Sequence, residues 1–130
     1  MSRRIAVIDD EPVFLAMLHD VLGQEGYEPH TFSDGMAAYA WVRACAPHAL
    51  VVDIPTERPA VGWALLRRFQ HDPALRAMPI VVCCAAVDVL KEHAATLDGD
   101  GYVILPKPFD LDDLLALLNH VTSQAIAVSV

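Results

Sequence analysis

The chain has 130 residues and a mass of 14.2 kDa, room for one ordinary domain, so the expectation is a stand-alone unit without an attached output domain. A hydrophobic fraction of 55%, a charged fraction of 20% and a mean hydropathy of +0.36 exclude a disordered chain. The formal charge of −8, from 17 acidic against 9 basic residues, has the wrong sign for a protein that binds a nucleic acid backbone, and direct DNA or RNA binding is set aside.

Two periodicities alternate along the chain. Ile5-Ala6-Val7-Ile8 is a short, continuous apolar run of the kind that forms a strand buried on both faces, and it ends at Asp9 and Asp10. Pro12, whose fixed φ suits a first helical turn, opens a helix with Phe14, Met17, Leu18, Val21 and Leu22 at helical spacing, closed by Gly23 and Gly26. Pro29-His30-Thr31-Phe32 is a weaker run and reads as an edge strand. Asp34 is the expected N-cap of a second helix that presents Ala38, Trp41, Val42 and Cys45 on one stripe and stops at Pro47.

Ala49-Leu50-Val51-Val52 is the third strand, closed by Asp53. A third helix covers residues 62–71 with Leu65, Leu66 and Phe69 inward, and Pro79-Ile80-Val81-Val82-Cys83 follows as the fourth strand. A fourth, less amphipathic helix covers about residues 87–97. Tyr102-Val103-Ile104-Leu105 is the fifth strand, with Lys107 after it. The last helix starts at Asp110 and carries Leu111, Leu114, Leu115, Leu118 and Val121, with Asp112 and Asp113 favoured in its first turn by the helix dipole. Residues 1–122 read as one domain and 123–130 as a short, uncharged C-terminal tail. Five strand-helix repeats imply an α/β fold, a parallel sheet covered on both faces.

In such a sheet, ligands gather outside the carboxyl ends of the strands, near the point where the strand order reverses. Asp9, Asp10, Asp53 and Lys107 all fall at that edge. Hard carboxylate oxygens, completed by water and phosphate, are what Mg²⁺ takes, and an aspartate beside that metal can act as a nucleophile towards phosphorus. Each residue alone has a plainer reading: an acidic pair favours a helix N-terminus, an Asp after a strand caps a turn, and a Lys before Pro108 is solvated. Their joint occurrence at the ends of the correct strands favours the metal and phosphoryl reading.

These residues bring out a resemblance. Ile8-Asp9-Asp10-Glu11-Pro12, Leu50-Val51-Val52-Asp53-Ile54, the segment from Asp72 to Ile80 and Lys107-Pro108-Phe109 resemble the receiver domain of bacterial two-component response regulators, over residues 3–122. The resemblance implies a flavodoxin-like, doubly wound five-stranded sheet of order 2-1-3-4-5 with five helices. It implies phosphoryl transfer from a histidine kinase or phosphotransfer protein to Asp53. Asp9, Asp10, Asp53 and the backbone carbonyl of Pro55 would hold Mg²⁺, and Lys107 would contact the phosphoryl group. A downstream protein target would then read the domain's surface, and a homodimer through helices on one face is compatible with the family.

Several positions depart from the family pattern. Where Thr or Ser is usual stands Cys84, and a thiol is a weaker hydrogen-bond donor than a hydroxyl. The usual aromatic three residues before the lysine is Ile104, with Tyr102 two positions away. The loop after Asp53 carries Pro55 and Pro59, lacks the Met-Pro pair and reaches Gly62 one residue late. The expectation is a phosphorylatable Asp53 with an altered or lost hydroxyl-aromatic relay.

Other features weigh less. Cys45, Cys83 and Cys84 show neither zinc spacing nor a C-x-x-C motif, which fits a reducing compartment, and the vicinal pair reads as small apolar core residues rather than a redox sensor. The histidines are scattered, Trp41 and Trp63 read as packing residues, and Arg67 and Arg68 as a solvated face. No signal peptide and no apolar run of about 20 residues is present, so the expected location is cytoplasmic, without membrane attachment. Three functions compete: a phosphorylated signalling receiver, which is no enzyme beyond promoting its own phosphorylation and dephosphorylation; a degenerate receiver acting as a phosphorylation-independent interaction module; and a small phosphohydrolase. The last lacks both an Asp-x-Asp first-strand motif, since Glu11 holds the third position, and a cap segment. Nucleotide binding is weaker still, because no Gly-x-Gly-x-x-Gly follows the first strand.

Overall fold

A computed structural model describes residues 3–54, 59–75, 77–84, 102–106 and 109–129. Five strands, β1 (Arg4–Ile8), β2 (Glu28–Phe32), β3 (Ala49–Ile54), β4 (Ile80–Cys84) and β5 (Tyr102–Pro106), form one parallel sheet in the order β2-β1-β3-β4-β5. The described helices are α1 (Pro12–Gln24), α2 (Gly35–Cys45), α3 (Pro59–His71) and α4 (Leu111–Ser129). The helix expected over residues 87–97 lies outside the described residues.

Right-handed crossovers explain the layering. The chain leaves β1 towards one side of the sheet and returns through β3, β4 and β5 towards the other, which puts α1 and α2 on opposite faces. Alternate residues of the central strands then feed two cores. Ile5, Val7, Val51, Val81 and Cys83 pack with Leu18 and Leu22 of α1 and Leu114 and Leu118 of α4. Ile8, Val52, Ile54, Val82 and Cys84 pack with Val42 of α2 and Trp63, Leu66 and Phe69 of α3. The two edge strands, β2 and β5, keep partly exposed patterns among the described residues, as edge strands should.

Local signals behave as the sequence predicts at most ends. Pro12 occupies the first turn of α1. The Asp34 carboxylate caps α2 by accepting from the Met36 N–H at 3.0 Å. The α2 helix ends at Cys45 because the helical region is disfavoured before Pro47, and its C-cap Ala46 takes a left-handed φ of 47°, common at helix C-termini, with its N–H still donating to Val42 O. Three details differ from expectation. The inward stripe of α1 is Leu15, Leu18 and Leu22, while Met17 is 39% exposed, because the stripe centres one residue away from the run read from spacing. The last helix runs on to Ser129, through the segment read as a tail. In α3, helix begins at Pro59 rather than at Gly62, and Gly62 lies so close to β3 that an added Cβ would stand 2.6 Å from Ile54 Cδ1 and 3.3 Å from its Cα. That glycine lets α3 sit directly behind the residue following Asp53.

A polar network closes the α2–α3 contact far from the carboxyl edge. Asp72 Oδ1 accepts from the Ala74 N–H at 3.0 Å, and Oδ2 accepts from the Tyr39 hydroxyl at 2.9 Å, with Arg43 Nε 3.5 Å away. The backbone N–H of Ala74, then Tyr39 and Arg43, hold the Asp72 carboxyl below the usual range, and the same carboxylate raises the Tyr39 hydroxyl above its ordinary value. A depressed carboxyl stabilises the fold above its unfolded pKa, and that contribution is lost as pH falls through the folded value. Asp72→Asn should therefore lower stability at neutral pH and flatten the loss of stability below about pH 4 in urea titrations. Parallel acid slopes for wild type and variant would contradict this.

Candidate functional site

The register of the sheet builds the site. Ile8 pairs with Phe32 on one side and Val52 on the other, Val52 with Val82, and Val82 with Ile104, so these residues form one row across the sheet. Asp9 and Asp53 each follow a member of that row on adjacent strands, and so stand side by side at the carboxyl edge, where the strand order reverses between β1 and β3. The Asp9 backbone N–H donates to Phe32 O at 3.1 Å, which extends the ladder one residue beyond β1. The Asp9 carboxylate then accepts from the Glu11 N–H at 2.9 Å, turning the chain into α1.

Asp9 is 4% exposed, Asp53 half-buried and Asp10 open to solvent. One carboxylate oxygen from each lies within 4.8 Å of the others. The donor set fits a hard divalent cation: octahedral Mg²⁺ with ligands at about 2.1 Å spans oxygens up to about 4.2 Å apart, so small side-chain movements close the set. Three carboxylates this near repel one another unless a cation or proton intervenes. Pro55 and Lys107, expected to complete the site, lie outside the described residues.

Cysteine falls at both positions of β4 nearest the site. Cys83 pairs with Asp53 in register and belongs to the α1–α4 core. Cys84, at the expected hydroxyl position, pairs with Ile54, is 1% exposed and belongs to the α2–α3 core. Both thus occupy interior positions, as the plain reading of small apolar residues predicts. Ile104 is half-buried against that same core, while Phe109 meets Phe14 of α1 edge-on at 6.4 Å. Trp63 is buried, and Trp41 packs on β2 with His30 and Phe32 at 4.3 and 5.5 Å between ring centres. Sequence reading missed the part of Gly62 in seating α3 against Ile54. Its displaced position in the loop was the available signal.

Comparison with known proteins places the chain in a family and shows its fold. A family model described as the response regulator receiver domain matches residues 5–119. Response regulator MprA of Mycobacterium bovis is 34% identical over 116 residues, covering 89% of this chain and 49% of its own length. Transcriptional regulatory protein TcrA of Mycobacterium tuberculosis is 34% identical over 120 residues, covering 92% of this chain and 46% of its own length. The chain thus spans about half the length of the curated relatives it matches. Among solved structures, the chemotaxis response regulator CheY4 of Vibrio cholerae shares the fold with a TM-score of 0.78 at 22% identity, covering 93% of this chain and 99% of that one. A putative response regulator from Chloroflexus aurantiacus gives a TM-score of 0.79 at 25% identity, covering 95% and 99%.

Proposed function

The chain belongs to the response regulator receiver domain family of two-component signalling, and on that premise we propose that it accepts a phosphoryl group on Asp53 from a histidine kinase or phosphotransfer protein and signals through protein–protein contacts. The observation that carries the reading is the convergence of Asp9, Asp10 and Asp53 at the switch point of the sheet. An Asp53 carboxylate oxygen forms the new O–P bond as the N–P bond of the donor phosphohistidine breaks, and the electron pair of that bond stays with the histidine nitrogen. Asp9 and Asp10, with Asp53 and the Pro55 carbonyl, are the proposed ligands of Mg²⁺, which when bound draws charge from the phosphoryl oxygens. Asp9 is held for that duty by the Glu11 N–H. Lys107 is the proposed phosphoryl contact, where its compact ammonium suits a phosphoryl oxygen. No released substrate is turned over: the product is the phosphorylated domain itself. Among the described residues no helix is long and apolar enough to cross a membrane, and the proposed setting is the cytoplasm.

A second reading is a degenerate receiver that binds its partner without phosphorylation. The burial of Cys84 and the aliphatic Ile104 favour it, because neither side chain provides the hydroxyl or mobile ring on which the usual relay depends. Phosphodonor labelling separates the two.

Metal binding has its own test. Mg²⁺ at about 100 times its Kd should stabilise the wild type by about 2.7 kcal/mol in urea unfolding. Asp9→Asn keeps an acceptor for the Glu11 N–H but removes one of three crowded charges. The variant should lose most of the response to Mg²⁺. An equal response in both proteins would remove Asp9 from the ligand set.

A further inference from the structure

Charge is unevenly divided over this fold. Residues 35–80, from α2 to the start of β4, hold five arginines against three carboxylates, whereas the rest of the chain holds four basic residues against fourteen acidic ones. Of the three carboxylates, Asp53 belongs to the metal cluster and Asp72 is buried beneath Tyr39 and Arg43. Within α2 and α3 themselves stand Arg43, Arg67 and Arg68 and no carboxylate, with Asp34 at the N-cap of α2, so the two helices present a basic patch on an acidic protein.

The patch is organised. Arg67 and Arg68 are exposed, and neither forms an ion pair with a carboxylate among the described residues. Arg68 is nonetheless held in place: its guanidinium lies 4.7 Å from the centre of the Tyr39 ring, and Nη1 donates to Met36 Sδ at 3.1 Å. A guanidinium fixed by a ring and a thioether keeps most of its N–H fork directed at solvent and loses little freedom when a carboxylate arrives. Met36 is itself 59% exposed. Val61, 60% exposed, stands seven residues before Arg68 on the same side of α3, since seven residues make about two turns.

We propose that this α2–α3 face docks an acidic, amphipathic segment of a partner protein, with carboxylates on Arg67 and Arg68 and an apolar side chain against Met36 and Val61. Arginine beside exposed apolar groups is the composition of interface hot spots. A short segment with a few carboxylates meets less long-range repulsion from the net charge of −8 than a polyphosphate strand or a second copy of the chain, itself at −8, so the local arginines decide its binding. The inference is independent of phosphorylation, as no residue of the patch belongs to the carboxylate site.

Fluorescence anisotropy with labelled helical peptides tests it, using the full chain. A peptide with Glu on its polar face and Leu on its apolar face should bind saturably and weaken as salt is raised. The Lys-for-Glu peptide and a single-stranded oligodeoxynucleotide should bind at least about tenfold more weakly. Arg67→Glu with Arg68→Glu should cost at least about tenfold in affinity, and the milder Arg67→Gln with Arg68→Gln an intermediate loss, with circular dichroism unchanged. Asp20→Lys on α1 should leave affinity within about twofold. Absence of saturable binding, equal binding of both peptides, preference for the oligonucleotide or indifference to the arginine changes would each overturn the proposal.

Discussion

Asp53→Asn should abolish covalent labelling by a small-molecule phosphodonor, while the wild type should gain the mass of one phosphoryl group in the presence of Mg²⁺ and none after chelation. Intact-mass spectrometry reads both outcomes directly. The size of the effect follows from the chemistry: an amide oxygen lacks the charge that makes a carboxylate nucleophilic towards phosphorus, so the loss is complete rather than partial. The fold should be unaffected, because Asp53 lies at the carboxyl edge of β3, where its neighbour in register is Cys83, and Asn has nearly the same volume. Mass retained in the variant would move the acceptor elsewhere, and absence of labelling in the wild type would favour the phosphorylation-independent module. A companion measurement concerns the relay. Backbone amide spectra recorded with a phosphate mimic should change little near Ile104, since an aliphatic side chain packed against the α2–α3 core has no polar tip to exchange between buried and exposed positions. Large shifts at β5 and the start of α4 would contradict this.

Phe69→Ala should be the most damaging single substitution for stability, at about 3–5 kcal/mol in chemical denaturation. Phe69 is the largest fully buried side chain among the described residues and packs in the core between α3 and the sheet, with the Tyr39 ring 5.2 Å away. Truncation leaves a cavity whose walls are set by two helices and three strands, so little of it can collapse. Against a total stability of about 5–15 kcal/mol, the loss takes the variant close to unfolding. A cost below about 1.5 kcal/mol would mean that α3 packs more loosely on the sheet than this core requires.

The two large effects fall on opposite parts of the molecule, one on the rim and one in the interior, and they were not equally legible. The interior was readable because burial on both faces demands continuous apolar strands, and Ile5 to Ile8, Ala49 to Val52 and Ile80 to Cys83 contain nothing else. The helix starts at Pro12 and Gly35 were equally readable, since a proline in the first turn and an Asp34 cap act locally. Phe69 was recognisable as an inward residue of α3. Its contact with Tyr39, and the junction of Tyr39, Arg43 and Asp72, were not, because they join residues about thirty positions apart with no shared pattern.

The candidate site stands between these cases. The sequence by itself determined that carboxylates end the first and third apolar runs, that those runs are parallel strands, and that the intervening helices must cover both faces. It also placed cysteine and isoleucine where the family carries a hydroxyl and an aromatic ring. The expected order 2-1-3-4-5 already made β1 and β3 neighbours, and only the tertiary structure decided the register, Ile8 opposite Val52, which brings carboxylate oxygens of residues 44 positions apart in the chain within 4.8 Å of each other. The same holds for Met17, turned outward by the placement of α1, and for Arg68, fixed over Tyr39 by the packing of α3 on α2. The physical reason is common to all three. Hydrophobic periodicity and capping act over a few residues and specify which elements form, whereas strand register and helix packing are settled by burial of the whole sheet, and polar side chains meet only where that burial carries them.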